Sequence, residues 1–568
     1  MPRPYRRNPQ WSREAGQTLI FLALALGVFI LGFVAFATDY SNVWAHRQAA
    51  QSAADSACQA AVQDLYTYAE GIPIAPDPPN GAGFTPGTNF DCSSKPNSVP
   101  CKYASLNGYS GAAVQVTFVN SGTGACVANP MTSTVPCINV AITDSVPTFF
   151  SKVLMGNSTI NLKASAMCGL VGAPVKTAFV LLHPTAPTAS DTTPPLYAPS
   201  NGSLLTIMGG TQYAVKVNSN SATAGDPRCA SSPCVDLSGA GSANTGANFT
   251  VHGGPSTQPF GVVLGTGRYV APSIPLFDPY ALVPAPAQPA APSSPNPKTV
   301  TFTTNGCPDP TGCKEYAPGY YAGGISVSST AIFDPGLYYL DGDLKVGAGG
   351  TVRPSTAGDG TGGAMFFFHG NNTISIAGNA GNAPACTGVT PPSPSGCVVS
   401  YSTSGATLFG VPSTPITCPG GATAPPNTPA ISDGLVLLGT CGGTDANGID
   451  LTNYRDQNSD PARRFRGFLF FQDRSVSASP KLTGGGAMVT AGYLYFHQCN
   501  SAGTGTNCSA PGSGGYGTLL TVSGSSAGNA YAIGSLVADK LKLTGGSQMK
   551  MILGRDASAQ GILGTLEQ

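Results

Sequence analysis

The hydrophobic pattern of the chain begins with one long, uninterrupted apolar run. Residues 18–37 carry no charged side chain, and four arginines precede them at positions 3, 6, 7 and 13. About 20 helical residues, at 1.5 Å rise each, reach the roughly 30 Å of a bilayer's hydrocarbon core. Arginines beside a span stay on the cytoplasmic side. The pattern therefore predicts one transmembrane helix that carries residues 39–568 out of the cytoplasm.

The pattern then changes to an alanine-rich stretch over residues 38–70. This stretch contains neither Pro nor Gly, and alanine is the best helix former. Ala50, Ala54, Ala57 and Ala61 recur at spacings of three and four, which places them on one helix face. We therefore predict that the membrane helix continues outward and that its smooth alanine stripe packs against a sheet or another helix.

Beyond Gly71 the periodicity shortens. Strand-like stretches occupy 113–120 and 137–143, followed by the apolar stretches 147–155 and 160–167. These elements predict a small α+β head. The predicted domains are a basic cytoplasmic leader (1–16), a transmembrane helix (17–38), an Ala-rich helix (39–70), the head (71–172) and an exported Gly/Pro-rich β region (173–568).

Residues after about 174 form short strands that end at glycine. A unit of two apolar residues alternating with polar ones recurs, and alternation with a terminal glycine marks a half-buried strand followed by a tight corner. Repeated units of this kind predict a β-solenoid, with a β-sandwich as the alternative, so the predicted fold class is mainly β. Pro-rich loops are expected near 272–297 and 411–429. The units begin at Leu205, Val235, Ile374, Leu520 and Leu541.

Composition narrows the choice of partners. Charged residues make up only 10% of the chain, with 27 basic and 27 acidic side chains, while Gly and Pro number 73 and 50. Nucleic-acid binding needs a strongly basic surface, so we expect no nucleic-acid partner.

The sixteen cysteines lie mostly in close pairs along the chain. An even number in an exported chain predicts a disulfide framework. No Cys-x-x-Cys is present, which argues against zinc. The predicted disulfides are Cys92–Cys101, Cys126–Cys137, Cys229–Cys234, Cys307–Cys313, Cys386–Cys397, Cys418–Cys441 and Cys499–Cys508, with Cys58 and Cys168 left to join the helix to the end of the head.

Candidate chemistry is sparse. Asp341, Asp343 and Lys345 alternate on an expected strand, and glycoside hydrolysis uses a pair of carboxylates. Acidic residues at strand ends more often cap turns, and no histidine lies beside these in sequence. No Gly-x-Ser-x-Gly, P-loop or His-Glu-x-x-His motif occurs. We therefore predict no catalytic residue, no cofactor and no metal site, and we expect that the protein is not an enzyme.

Two processing sites compete with a retained anchor. Gly16 precedes Gln17 and the apolar run, as in prepilin-type cleavage, and Ala37 closes a small-residue motif that suits signal peptidase. A signal-peptide core is usually about 7 to 15 residues, so the longer run favours retention.

The N-terminal region resembles the TadE/TadG-like proteins of the Flp (Tad) pilus assembly system. Members open with a Gly-Gln, an apolar anchor and a Gln-x-x-Ala-Asp-x-Ala helix, here Gln51, Ala54, Asp55 and Ala57. Position 21 is Phe, whereas cleaved pseudopilins carry glutamate five residues after the glycine. The matching segments are Gly16-Gln17-Thr18-Leu19-Ile20, Asp39-Tyr40, Arg47, Gln51 to Ala57, Val146-Pro147-Thr148-Phe149-Phe150 and Ala164-Ser165-Ala166.

A second resemblance concerns the C-terminal region. Many TadG-like proteins carry a von Willebrand type A domain with an Asp-x-Ser-x-Ser metal loop. The literal match at Asp473 is followed by too short a chain for that domain, so no such site is predicted. Three segments instead resemble a β-solenoid-like module of some TadG-like surface proteins. They are residues 334–342, 467–474 and 492–496.

The resemblance implies a structural or assembly protein of a Flp/Tad-type pilus or related cell-surface apparatus. It places a single N-terminal span in a bacterial inner membrane and the bulk of the chain in the periplasm or at the cell surface. The implied partners are the bilayer and other pilus-assembly or envelope proteins. The alternatives are a surface adhesin or glycan-binding protein and, less favoured, a β-solenoid carbohydrate-active enzyme.

Overall fold

The fold is taken from a computed structural model. It describes residues 11–69, 84–120, 137–150, 156–175, 179–357, 363–377, 435–439, 465–499, 516–553 and 559–567. Gaps of one to four residues interrupt several of these ranges, and a few isolated positions lie between them. The chain divides into two compact units near residue 172, referred to below as the head unit and the β unit.

The head unit combines one long helix with an antiparallel sheet. Strands pair in the order β1-β2-β3-β4, with β3 and β4 in continuous register from Ile138↔Cys168 to Pro147↔Thr159. The half of α1 that follows the apolar segment packs against β3 and α2. The elements are α1 (Trp11–Ala69), β1 (Phe90–Cys92), α2 (Val99–Leu106), β2 (Gly111–Val119), β3 (Cys137–Pro147) and β4 (Thr159–Val175).

Helix α1 has two chemically different halves. Leu19 to Phe36 presents large apolar side chains that are more than half exposed, whereas the helix from Ala50 to Leu65 buries a face of small residues. The segment is long and apolar enough to cross a membrane. One helix therefore carries an apolar surface that is exposed in the described part of the chain, and then a surface that packs on the head sheet.

The β unit is built from short strands in two consecutive sets. The first set is β5 (Phe179–Leu181), β6 (Leu196–Tyr197), β7 (Leu204–Gly209), β8 (Tyr213–Val217), β9 (Val235–Ala240), β10 (Asn248–Val251), β11 (Val262–Val263) and β12 (Tyr269–Val270). The second set starts with β13 (Lys298–Val300), a 3₁₀ turn (Thr304–Gly306), β14 (Cys313–Tyr316), β15 (Gly319–Tyr321), β16 (Ile325–Val327), β17 (Thr330–Phe333), β18 (Gly336–Leu340), β19 (Leu344–Val346), β20 (Thr351–Pro354), β21 (Ala364–Phe368) and β22 (Ile374–Ile376).

The second set continues to the end of the chain. Its remaining strands are β23 (Ile416–Thr417), β24 (Leu435–Leu438), β25 (Gly442–Gly443), β26 (Phe468–Gln472), β27 (Lys481–Gly484), β28 (Met488–Ala491), β29 (Tyr493–Phe496), β30 (Leu519–Gly524), β31 (Asn529–Ile533), β32 (Leu536–Ala538), β33 (Lys540–Thr544) and β34 (Gln548–Leu553). The final strand, β35 (Ala559–Glu567), belongs to the head sheet, where it follows β4.

Successive strands of the β unit rotate among parallel sheets. Sheet 1 has the order β12-β10-β8-β5-β32-β29-β26-β21-β18-β15, sheet 2 has β11-β9-β7-β34-β31-β28-β24, and sheet 3 has β16-β19-β22-β27-β30-β33-β6. From β26 to β34 the cycle sheet 1, sheet 3, sheet 2 repeats without exception. The described strands of these three sheets pair in parallel, the pattern that crossover connections require. Parallel stacking of successive rungs favours the solenoid over the sandwich.

The two sets of strands meet in the middle of the ladders. β5, β6 and β7 pair with β32, β33 and β34, so residues near 180–209 lie beside residues near 536–553. The first set extends from this junction to one end of sheet 1, and the second set begins at the other end and returns to the junction. The chain must therefore travel back along the β unit between β12 and β15.

This return path is a Pro-rich segment that lies on the outer face of sheet 1. We call its described residues Leu276, Asp278, Pro279, Tyr280 and Val283 the outer strap. Its Leu276, Tyr280 and Val283 form one buried cluster with outward side chains of sheet 1, among them Phe468 and Tyr495. The inward side chains of all three sheets form the main core. Sheet 1 is thus buried on both faces, which explains its consecutive aromatic residues.

The structure confirms the mainly β class and the long N-terminal apolar helix. The glycine-ended repeats lie in β7, β9, β22, β30 and β33, which belong to sheets 2 and 3. One expectation needs correction: Asp341, Asp343 and Lys345 do not share a strand, because Asp341 follows β18 and Lys345 lies in β19 after an intervening bend. Most of 411–429 lies outside the described residues.

Candidate functional site

The half of α1 that follows the apolar segment is a smooth contact surface in the head unit. Ala50, Ala53, Ala54, Ala57 and Ala61 are completely buried. Small side chains let a helix backbone approach a sheet closely, and alanine loses no rotamer freedom when it is buried. The family-motif positions 54 and 57 therefore act by packing.

The polar residues of the same motif hold the helix to the sheet. Gln51 donates through Nε2 to Asp55 Oδ1 at 2.8 Å and to the carbonyl oxygen of Ser165 in β4 at 3.1 Å. Asp55 is partly exposed. The Gln-x-x-Ala-Asp-x-Ala pattern thus combines one polar clamp with the buried alanine face.

Further hydrogen bonds between α1 and the rest of the head unit occur closer to the apolar half of the helix. His46 Nδ1 lies 2.8 Å from Asp144 Oδ2, and the Tyr109 hydroxyl donates to the same carboxylate oxygen at 3.1 Å. Asn42 Nδ2 donates to the carbonyl oxygen of Pro147 at 3.1 Å. Burial and the Asp144 carboxylate raise the pKa of Tyr109 to about 12, so its hydroxyl remains a donor.

Of the α1 residues described above, Asp39 makes the hydrogen bonds closest to the apolar half. Its Oδ1 accepts the backbone N–H of Phe149 at 2.8 Å, and its Oδ2 accepts that of Phe150 at 3.0 Å. The carboxylate is almost fully buried, while both phenylalanine side chains are exposed. Asp39 therefore fixes the loop that follows β3 beside the end of the apolar segment.

The candidate processing positions lie within one continuous helix. Gly16, Gln17 and Ala37 are all part of α1, and Ala37 is exposed on it. Cleavage at either position remains a prediction.

The close packing of the alanine stripe can be tested by enlarging one of its buried side chains. We expect Ala57→Leu to lower the stability of the head unit by about 1–3 kcal/mol, because a fully buried alanine leaves no room for the added methyl groups. Ala49→Leu, on the exposed side of the same helix, is the matched control. Urea denaturation of the two variants measures the difference. Equal stabilities would contradict the buried contact.

Five of the eight expected disulfides form among the described residues. They are Cys58–Cys168, Cys92–Cys101 and Cys126–Cys137 in the head unit, and Cys229–Cys234 and Cys307–Cys313 in the β unit. The expected pairs Cys386–Cys397, Cys418–Cys441 and Cys499–Cys508 each include a residue outside the described ranges.

The β unit places the candidate carboxylates at a corner after sheet 1. Asp341 Oδ1 lies 2.5 Å from His369 Nδ1, and Asp341 Oδ2 accepts the Tyr320 hydroxyl at 2.8 Å. Hydrogen bonds from His369 and Tyr320 lower the pKa of Asp341, so the carboxylate stays ionised. A glycosidase's general acid needs a raised pKa. An ionised Asp341 therefore does not suit the role of general acid.

The second carboxylate is also held by its neighbours. Asp343 Oδ1 accepts the backbone N–H of Thr373 at 2.9 Å, and Oδ2 lies 3.3 Å from Lys345 Nζ. Asp473, from the Asp-x-Ser-x-Ser match, accepts the backbone N–H and the hydroxyl of Ser475, both at 3.0 Å. Both aspartates therefore shape turns, as acidic residues at strand ends often do.

Sequence reasoning missed the histidines at this corner. Consecutive strands of sheet 1 are each followed directly by an acidic residue or a histidine, which we call the Asp–His row: Asp341, His369, Asp473, His497 and Asp539. The contact between His497 Nδ1 and Asp539 Oδ1, at 2.5 Å, is buried. These residues lie side by side because neighbouring parallel strands end at the same level. The only sequence signal was that each apolar strand is followed directly by Asp or His.

His183 borders the Asp–His row at the junction of the two strand sets. Its Nδ1 accepts the backbone N–H of Ala186 at 2.9 Å and that of Thr185 at 3.3 Å, which requires an unprotonated Nδ1. Burial and, to a smaller extent, the nearby Lys540 ammonium lower the pKa of His183 to about 4, although the carboxylates of Asp539 and Asp191 oppose this shift. The folded chain therefore resists protonation of this ring.

A pH dependence follows from His183. A histidine in the unfolded chain has a pKa near 6.5. The contribution of His183 to the free energy of unfolding is therefore fully present above pH 6.5, and about 2–3 kcal/mol of it is lost as the pH falls to 4. We expect His183→Asn to lose less stability between pH 7 and pH 4.5 than the parent chain. Denaturation midpoints of both chains at each pH measure the difference, because the carboxylates affect the pH dependence of both chains equally. Parallel pH profiles would contradict the assignment.

Taken together, the geometry defines a protein with one long N-terminal apolar helix, a helix-packed head and a disulfide-bearing β unit of parallel strands. Residues 16–64 match the family described as putative Flp pilus-assembly TadE/G-like. This match confirms the resemblance stated for the N-terminal region. Comparison with curated proteins and with solved structures found no match.

Proposed function

We propose that the protein is a membrane-anchored, TadG-like structural or assembly component of a Flp/Tad-type pilus or a related cell-surface apparatus. A single N-terminal span in the inner membrane holds the chain, and a disulfide-stabilised β-solenoid is displayed in the periplasm or at the cell surface. Its work is mechanical, and its partners are the bilayer and other pilus-assembly or envelope proteins.

One observation carries the proposal: the same helix, α1, is an exposed apolar rod over one half and a buried packing surface over the other. Residues 16–64, matched by the pilus-assembly family, include both halves. In lipid every backbone polar group needs an internal partner, which a continuous helix provides. The local disulfides fit an oxidising compartment outside the cytoplasm.

The β unit contributes a displayed surface to this proposal. Its parallel ladders, in which each rung covers the next, support the solenoid assignment. The hydrogen bonds that His369 and Tyr320 make to Asp341 support a structural role for this carboxylate.

The test is the N-terminus of the mature protein, determined by mass spectrometry of isolated envelopes. A start at Met1 or Pro2, with carbonate-resistant membrane association, supports the anchored protein. A start at Gln17 would replace the anchor with a pilin-like subunit. A start at Thr38, with the protein in the soluble fraction, would overturn the proposal.

Glycan binding is the second candidate function, and one surface favours it. The Tyr320 hydroxyl, the Asp341 carboxylate and the ring of His369 meet at the corner after sheet 1, and His369 packs at 5.2 Å from the Tyr339 ring. Aromatic rings beside polar acceptors suit sugar rings, which have both apolar faces and hydroxyls. Screening the intact protein on a glycan array tests this function. Binding that Asp341→Asn abolishes would establish it, and an empty array would exclude it for the glycans present.

A further inference from the structure

The loop between β3 and β4 presents aromatic side chains to solvent. Phe149 is 61% exposed and Phe150 is 45% exposed, although phenylalanine is usually buried. The neighbouring Ile160, the second residue of β4, lies opposite Val146 and is 40% exposed. The sequence from 148 to 158 contains no acidic residue and a single lysine, Lys152.

The position of this loop along α1 is fixed by hydrogen bonds. Asp39 accepts the N–H groups of Phe149 and Phe150, and Asn42 donates to the carbonyl oxygen of Pro147. Because Asp39 follows Ala37 by two residues, it lies only about 3 Å further along the helix axis. The loop backbone therefore lies at the level where the apolar segment ends.

That level corresponds to the membrane interface when the apolar segment spans a bilayer. The polar headgroup region extends about 5–7 Å beyond the hydrocarbon core on each side. Tyr40 on α1, three residues after Ala37, is also more than half exposed close to this level, and aromatic residues concentrate at membrane–water interfaces.

We propose that the Phe149–Phe150 loop docks into the outer interface of the bilayer that α1 crosses, so that the head unit rests on lipid. Its ligand is the lipid surface itself: the two rings bury among acyl chains near the glycerol level, without a protein partner. Asp39 is the positioning residue, since its carboxylate holds the loop at this depth. The inference rests on the proposed anchor.

Site-specific tryptophan fluorescence in lipid vesicles tests the docking. The full chain contains two tryptophans, Trp11 and Trp44. Both are replaced by Phe, and one reporter is introduced: Phe149→Trp for the loop, Phe33→Trp for the span, or Leu106→Trp as an exposed control at the end of α2. Each chain is reconstituted into phosphatidylethanolamine–phosphatidylglycerol vesicles brominated near the glycerol or near the acyl-chain end.

We expect Phe149→Trp to be quenched more strongly by bromine near the glycerol than by bromine near the chain end. Its emission should lie at shorter wavelength than that of Leu106→Trp, which should show no quenching. Quenching of Phe33→Trp reports insertion of the span. If Phe33→Trp is quenched and Phe149→Trp behaves like Leu106→Trp, docking is wrong and the anchor stands. If Phe33→Trp is not quenched, the anchor fails and docking fails with it.

The positioning role of Asp39 has its own readout. In the Phe149→Trp chain, Asp39→Ala removes both acceptors and should reduce the quenching near the glycerol, whereas Asp39→Asn keeps one acceptor and should retain more of it. Quenching of Phe33→Trp should not change in either variant. Undiminished Phe149→Trp quenching in Asp39→Ala would overturn the positioning role.

Discussion

Replacing Arg474 with methionine should lower the stability of the β unit by about 3–5 kcal/mol, because it leaves a buried aspartate without its cation. Arg474 Nε donates to the Tyr495 hydroxyl at 2.6 Å, and that hydroxyl donates to Asp278 Oδ2 at 2.6 Å. Asp278 and Arg474 are both almost fully buried. The guanidinium also donates to the carbonyl oxygens of Tyr280 and Val283.

The large effect comes from the position of this network beneath the outer strap. Arg474 follows β26 in sheet 1, whereas Asp278, Tyr280 and Val283 belong to the strap, so the network joins a strand end to the returning chain. Burial raises the pKa of Tyr495 well above its usual value, so the bridging hydroxyl keeps its proton. Loss of Arg474 therefore removes both the compensating charge and two donors to strap carbonyls.

Urea denaturation of the full chain in detergent, followed by the near-ultraviolet circular dichroism of tyrosine, measures this loss. Arg268→Met, at an exposed arginine of the same unit, is the control and should change stability by less than about 0.5 kcal/mol. Arg474→Met combined with Asp278→Asn should recover part of the loss, since no uncompensated charge remains. A loss in Arg474→Met no larger than in the control would contradict the buried network.

Removing the Cys58–Cys168 disulfide should destabilise the head unit by about 5 kcal/mol on the chain-entropy estimate, the largest effect that we expect of any covalent change. The two cysteines are separated by 110 residues, so the bond closes a long loop in the unfolded chain. It joins α1, beyond its apolar segment, to β4 of the head sheet.

The Cys92–Cys101 disulfide provides a matched comparison. Its cysteines are also buried and belong to the same unit, but they are separated by only 9 residues. The same estimate gives about 3 kcal/mol for a loop of this length. Double alanine variants at each pair, compared by urea denaturation of the reconstituted chain, should differ by about 2 kcal/mol. Equal losses would show that the two bonds act by local packing alone.

Much of the head unit was predictable because its signals are local. The apolar run and the absence of Pro and Gly after it predicted a continuous helix, and the stretches 113–120, 137–143 and 160–167 lie in β2, β3 and β4. The stretch 147–155 was less informative, since Thr148 to Phe150 form the turn after β3. That turn is fixed by Asp39, more than a hundred residues earlier, which no local pattern reveals.

The corner of the β unit illustrates the same limit. Asp341 was recognisable as a candidate, but its partner His369 lies 28 residues away. The two meet because β18 and β21 are adjacent rungs with Leu340 opposite Phe368. Register in a parallel ladder is set by which inward side chains fill the core together, and this is a property of the assembled rungs.

The sequence by itself determined the apolar helix, the alanine face, the short strands with their glycine corners and the local cysteine pairs, because each depends on residues within about one or two turns or one loop. Tertiary structure alone decided that residues near 180–209 pair with residues near 536–553. It also decided that a Pro-rich segment returns across sheet 1 and that Arg474 is buried beneath this segment. The physical reason is that the entropic cost of closing such long loops depends only weakly on their length, so this cost does not favour one distant partner over another. Burial of both faces of sheet 1, which needs all the rungs at once, therefore selects the partners.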